Sequence, residues 1–226
     1  MKLHQKIIIA GICILGLALH LNRYTYYPQR GASSDEYTYS FMGVSILTRG
    51  IPSSWSNFSP YQQTKHYDLT IDHIYFWMVE PYFDHPPLNG ILVGAWAIMN
   101  GEGTFEKIQL KTIRLVPIAL SIATTLLIFL IGRAIKDFKT GFWAALIFAT
   151  STIMVMNTRV VFAENLLSPL FLLGIYLYSK AKKAVTAKTT IALGILAGLA
   201  FWTKEAGLSV GGAFLFLFLI DRQKRK

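Results

Sequence analysis

Tyr82-Phe-Asp-His-Pro-Pro-Leu-Asn-Gly-Ile-Leu-Val-Gly-Ala-Trp-Ala-Ile-Met99 is the stretch on which the fold turns. Pro86 and Pro87 fix φ and stop any helix that reaches them, so the chain turns before Leu88. Residues 88–99 then run apolar for twelve positions. A bilayer core of about 30 Å needs roughly 17–25 such residues, so this length suits a helix lying in the interface or re-entering it. Six further apolar segments flank it, at 7–21, 113–131, 141–156, 166–178, 190–202 and 208–220. Whether 88–99 crosses therefore sets the orientation of five of them.

Lysine and arginine in short loops settle the choice, because they mark the cytoplasmic side. With 88–99 in the interface, one side receives Lys2 and Lys6, then Arg133, Lys136 and Lys139, then Lys180, Lys182, Lys183 and Lys188, and last Arg222, Lys224, Arg225 and Lys226. That is thirteen of the 22 basic residues, while the two short loops opposite hold only Arg159 and Lys204. If 88–99 crossed, the basic loops would be divided between both faces. The reading is an all-α polytopic membrane protein of the cell membrane, both termini cytoplasmic. A large outer loop spans 22–112, and the whole forms one transmembrane domain.

Composition agrees. Of 226 residues 53% are apolar, 15% charged and 14% aromatic, with mean hydropathy +0.43. Aromatic content of that order excludes a disordered chain. A disulfide scaffold is excluded because the one cysteine, Cys13, sits inside an apolar run. The net charge of +10 would suggest nucleic acid on a soluble domain. Sorted by loop it is an orientation signal, and no nucleic-acid partner is expected. Segment 7–21 has the charged start and apolar core of a signal peptide. No small-x-small site ends it and more spans follow, so it reads as a retained anchor.

The outer loop holds eight of the twelve acidic residues: Asp35, Glu36, Asp68, Asp72, Glu80, Asp84, Glu102 and Glu106. Asp35-Glu36 opens a short helix expected over 37–48, with a mixed face suited to the membrane surface. Ser33 or Ser34 would cap that helix, and acids in its first turn complement the helix dipole. A general base held at a helix start is the alternative reading. Asp84 and His85 sit just above the apolar boundary, as a capping pair or as ligands for a phosphate, a metal or a sugar hydroxyl. Arg114, Arg159, Glu164 and Lys204-Glu205 collect at the same face. Ionisable groups at a bilayer edge are paired, functional or snorkelling.

These residues, in this order, resemble the GT-C glycosyltransferases, and among them the dolichyl-phosphate-mannose protein mannosyltransferases and the aminoarabinose transferases of lipid A. The likeness is carried by Asp35-Glu36, His85-Pro-Pro-Leu88, Arg114-Leu-Val-Pro117, Gly141-Phe-Trp-Ala-Ala145, Arg159 five positions before Glu164, and Gly198-Leu-Ala-Phe-Trp-Thr-Lys204. It covers roughly residues 7–210. The resemblance implies a GT-C-like bundle that takes a sugar from a polyprenyl-phosphate donor and passes it, with inversion, to a protein or lipid acceptor at the outer face. It implies Asp35 as the base, with Glu36 supporting it or taking that role. Asp84, His85 and Glu164 fall on the acceptor side, with a divalent metal there in some members; no other cofactor is implied. Arg114, Arg159 and Lys204 would face the donor phosphate.

Family members carry more spans than six, often with a further domain. The chain is thus expected to be a fragment, a split enzyme completed by a second chain, or a reduced relative. A lipid-binding accessory subunit and a small transporter are the readings from another class. Transporters place charges near mid-membrane, whereas here the spans are nearly free of charge.

Overall fold

The computed structural model describes residues 2–29, 33, 35–71, 74–181 and 186–223. Of the residues named above, Ser34, Asp72, Lys182, Lys183, Lys224, Arg225 and Lys226 lie outside the described residues. Helix α1 (Leu3–Leu21) leads into the outer region, which opens with α2 (Asp35–Arg49). Strands β1 (Ser54–Trp55), β2 (Lys65–Ile71) and β3 (Ile74–Glu80) and helix α3 (Leu88–Met99) follow. The chain continues through α4 (Leu110–Ile113), α5 (Leu115–Ile135), α6 (Phe138–Thr150), α7 (Thr152–Asn157), α8 (Glu164–Lys180), α9 (Ala187–Thr203) and α10 (Leu208–Gln223).

Leu88–Met99 is a helix over the expected bounds, with Pro87 as the residue before its first turn. The expectation of an all-α chain is corrected by the strands, which form an antiparallel sheet in the order β1-β3-β2. Their residues explain them: Ile74-Tyr-Phe-Trp-Met-Val-Glu80 is rich in β-branched and aromatic side chains, which fit a pleated surface better than a helix. The segment expected at 141–156 is divided at Ser151, whose backbone is extended at φ −62° and ψ 121°. Thr150, Ser151 and Thr152 supply three successive residues of low helix propensity there.

Among the described residues two helices, Leu3–Leu21 and Leu110–Ile135, are long and apolar enough to cross a membrane, the second running through α4 and α5. Helices α9 and α10 are apolar but shorter. Large apolar side chains stand exposed along the bundle, among them Ile14, Trp143, Ile191, Ile195 and Phe216.

Three buried clusters hold the molecule. Ile9 and Ile12 of α1 pack with Phe129 of α5 and Ala145 and Ala149 of α6. Leu193, Leu196 and Ala200 of α9 pack with Val210 and Phe214 of α10. The largest lies in the outer region, where Tyr39, Phe41, Met42 and Val44 of α2 meet Met78 and Val79 of β3, Val93 of α3 and Val161. Helix α2 is therefore buried on nearly every side, with residues 38–45 all inaccessible, rather than lying half-exposed on a surface.

At the closest approach of α2 and α3 the two backbones touch. A Cβ built on Gly43 would lie 1.7 Å from the Gly90 carbonyl oxygen, and one on Gly94 would lie 2.4 Å from the Gly43 carbonyl carbon. Gly43→Ala is expected to destabilise the outer region by about 1–3 kcal/mol, the usual range for overpacking, because the obstacle is backbone. Thermal unfolding of the variant in micelles checks this.

Candidate active site

Asp35 is the first residue of α2, and its amide donates to the Ser33 hydroxyl at 3.2 Å. Four residues on, Tyr39 lies on the same helical face, since an i, i+4 pair is stacked along a helix. The His85 ring stacks on Tyr39, with centroids 4.9 Å apart and planes at 26°. His85 in turn lies 6.4 Å from the Tyr82 ring. Around this aromatic stack stand the acids. Tyr39 is driven up by burial first and then by the charges of Asp35, Glu164 and Glu205. Tyr82 is likewise driven up by burial and by Asp84. Tyr61 is pushed up to about 12, by burial and by its hydrogen bond with Asp84. All three phenols stay protonated through neutral pH, so they serve as hydrogen-bond donors and neutral walls.

Asp84 accepts from the Ser56 hydroxyl at 2.5 Å, and Tyr61 accepts at 2.7 Å from the Phe83 amide. The turn before Pro86 is thereby fixed by the sheet side of the outer region. His85 keeps a buried Nδ1 without a hydrogen-bond partner among the described residues. Glu164 opens α8, where a carboxylate suits the helix dipole, and it accepts from the Lys204 ammonium. Burial works against ionisation of Glu164, yet Lys204, the Glu164 backbone amide and the nearby His85 outweigh it and hold the carboxyl below its ordinary value. The pair thus persists at neutral pH and is lost as pH falls through that lowered value. Lys204→Met is expected to raise the Glu164 pKa, as followed by carboxyl carbon shifts in a pH titration.

Glu36, Arg114 and Arg159 belong to a different layer. Arg114, expected to hold the donor phosphate, is fully buried and instead grips Glu36 through two parallel bonds, Nε to Oε1 and Nη2 to Oε2, each 2.8 Å. Its Nη1 donates to the carbonyls of Tyr24 at 2.6 Å and Pro28 at 2.9 Å. Glu36, expected to support the base or take its role, is fully buried with both oxygens on Arg114. Arg159 also turns inward, donating to the carbonyls of Leu19, Asn22 and Tyr27. These carbonyls close or follow α1, where the negative end of the helix dipole favours a cation. The two arginines therefore clamp the connector that delivers the chain from α1 to Asp35. His20, buried within α1, adds to the same tie, with its ring nitrogens 2.7 Å from the Gly16 carbonyl and the Thr158 hydroxyl.

The structure thus gathers Asp35, Asp84, His85, Glu164 and Lys204 about Tyr39 and Tyr82, and turns Glu36, Arg114 and Arg159 into support. As a metal set, Asp84, His85 and Glu164 do not fit. Among the described residues no three His, Cys, Asp or Glu side chains are placed to share an ion. Asp84 is taken up by Ser56 and Tyr61, and Glu164 by Lys204. The sequence alone does not single out Tyr39, Tyr61, Tyr82 or Ser56; the spacing of Tyr39 from Asp35 is the one signal available for the first.

A search against protein families matches residues 84–226 to the family described as dolichyl-phosphate-mannose-protein mannosyltransferase. No curated protein matches the chain. Among solved structures, it is similar to the archaeal oligosaccharyltransferase AglB from Archaeoglobus fulgidus, solved in complex with an inhibitory peptide and a dolichol-phosphate. The two share 14% identity over 92% of this chain, with a TM-score of 0.64. The likeness is one of fold, and the chain spans 24% of the length of that protein.

Proposed function

Since the chain belongs to the dolichyl-phosphate-mannose-protein mannosyltransferase family, we propose that it transfers a sugar from a polyprenyl-phosphate donor to a polypeptide acceptor, with inversion. The observation that carries this reading is the convergence on the Tyr39–His85 stack. The charges of Asp35, at a helix start, and of Glu164 both reach Tyr39, and Glu164 is paired with Lys204. Asp35 takes the proton of the acceptor hydroxyl as its oxygen attacks the anomeric carbon. The bond from that carbon to the phosphate oxygen breaks, and its electron pair leaves with the phosphate. Lys204 faces that growing negative charge, where a preplaced cation is most effective. Asp84 and His85 orient the acceptor. The step needs one base and one stabilised leaving group.

The membrane arrangement is proposed in the same terms. Segments 7–21, 113–131, 141–156, 166–178, 190–202 and 208–220 cross, both ends lie in the cytoplasm, and 22–112 faces outward with α3 in the interface. The exposed apolar side chains of the bundle support this, because lipid rather than water suits them. The uneven loop charge supports the orientation.

The purified chain, given radiolabelled polyprenyl-phosphate mannose and a threonine-containing peptide, is expected to label the peptide. Hydrolysis and transfer both absent would sink the reading. Turnover only on adding a second polypeptide would assign the chain as one part of a split enzyme.

A further inference from the structure

Strand β2 forms one edge of the sheet, paired among the described residues with β3 alone. Which of its backbone groups are free follows from the register. The Ser56 amide donates to the Trp77 carbonyl at 3.1 Å, so the backbone of Trp77 faces β1. In an antiparallel ladder, residues alternate between bonding one neighbour and the other. Met78, Phe76 and Glu80 therefore bond β2, through their partners Tyr67, Leu69 and Lys65. His66, Asp68 and Thr70 are the alternate set, and their N–H and C=O groups point outward along the open edge.

A groove of about 260 Å³ lies beside that edge. Tyr67 and Leu69 of β2 form one wall, Phe41 and Phe105 contribute rings, and Arg49 and Glu106 bring opposite charges to the lining. The sheet face above it is the one that packs inward, since Leu69 and Phe76 rest on the core of the outer region.

We propose that this edge binds the acceptor as an added β-strand, an extended polypeptide whose alternate side chains enter the groove. Outward donors and acceptors repeating every second residue are matched by the backbone of another strand. The groove beside them has room for an aromatic or branched side chain of such a strand. Arg49 and Lys65 both pair with Glu80, and with Glu106 nearby the two cations and two carboxylates balance, which suits a neutral segment. An extended acceptor held here by its backbone would be recognised with little regard to sequence. This rests on the reading that the acceptor is a polypeptide.

The test uses the full chain in nanodiscs and a fluorescein-labelled nine-residue peptide alternating threonine with phenylalanine. Hydrogen exchange at the amides of His66, Asp68 and Thr70 is expected to slow more than about tenfold on peptide addition, with Tyr67 and Leu69 unchanged because β3 already holds them. Asp68→Pro removes an edge donor that the ladder with β3 does not use, and is expected to weaken peptide binding by about tenfold. Asp68→Ala, which keeps the donor, is expected to bind as the parent does. Equal loss in the alanine variant, or no slowing at the edge amides with saturating peptide, overturns the proposal. So does slowing on raising the protein concentration alone, which would make the edge a contact between two copies. Binding needs no donor and no chemistry. Edge protection without sugar transfer would leave this inference standing and remove the enzymatic reading; transfer with unprotected edge amides would do the reverse.

Discussion

Asp35→Asn is expected to lower sugar transfer by about a hundred- to ten-thousandfold, the range associated with a general base, while membrane insertion and unfolding temperature stay as in the parent. The substitution keeps the size of the side chain and removes only its ability to take a proton. Asp35 lies half-buried at the start of α2 rather than in its core, so the core packing does not rest on its charge. Binding of the donor, followed by retention of a radiolabelled polyprenyl phosphate on the micelle-bound protein, is expected to be unchanged. Full transfer by the Asp35→Asn variant would move the base elsewhere, with Asp84 next in line. The same change at Asp84 is expected to act differently, because Asp84 is bonded to Ser56 and Tyr61 and holds the turn before Pro86.

Glu36→Gln carries the second large effect, on stability. Arg114 and Glu36 are both wholly buried, and their attraction is realised through two parallel hydrogen bonds. Removing one partner of such a pair leaves an uncompensated charge out of water, at a cost of about 3–5 kcal/mol. Chemical unfolding in mixed micelles is expected to register a loss of that size. The double change Glu36→Leu with Arg114→Met removes both charges together and is expected to recover most of it. Transfer activity is expected to stay low in the double variant even so. The carbonyls of Tyr24 and Pro28 lose their donor, and the connector that sets Asp35 loosens. Stability returning without activity separates the two roles of Arg114; if both returned together, the connector clamp would have no part in positioning the base.

Much of the helical plan could be read from the chain. The prolines before Leu88 and the length of the apolar run after them gave α3 its bounds, because proline chemistry is local. Asp35-Glu36 announced a helix start for the same reason. The sheet was harder to see: Lys65–Ile71 alternates polar and apolar from His66 onward, but its partner Ile74–Glu80 is apolar or aromatic at nearly every position, which hides the period of two there. The division at Ser151 was hidden by an apolar run that continues on both sides of it. At the candidate site, acids and bases were recognisable as types, but their partners were not. Glu36 and Arg114 are 78 positions apart and Arg159 reaches back 140 to Leu19. Nothing local in either segment says that an arginine will choose a carbonyl inside the protein over a phosphate outside it.

The bare backbone contact between α2 and α3 has a mechanical consequence. Where side chains interdigitate, two helices can slide by exchanging rotamers; where Gly43 rests on Gly90 and Gly94, there is nothing to exchange. The two helices form a single lever. On the membrane arrangement proposed above, the tilt of α3 would follow the depth and thickness of the surrounding lipid, and a change of tilt would be carried through the glycine contact to α2. The height of Asp35 would then follow the bilayer, and a thinner membrane would shift it.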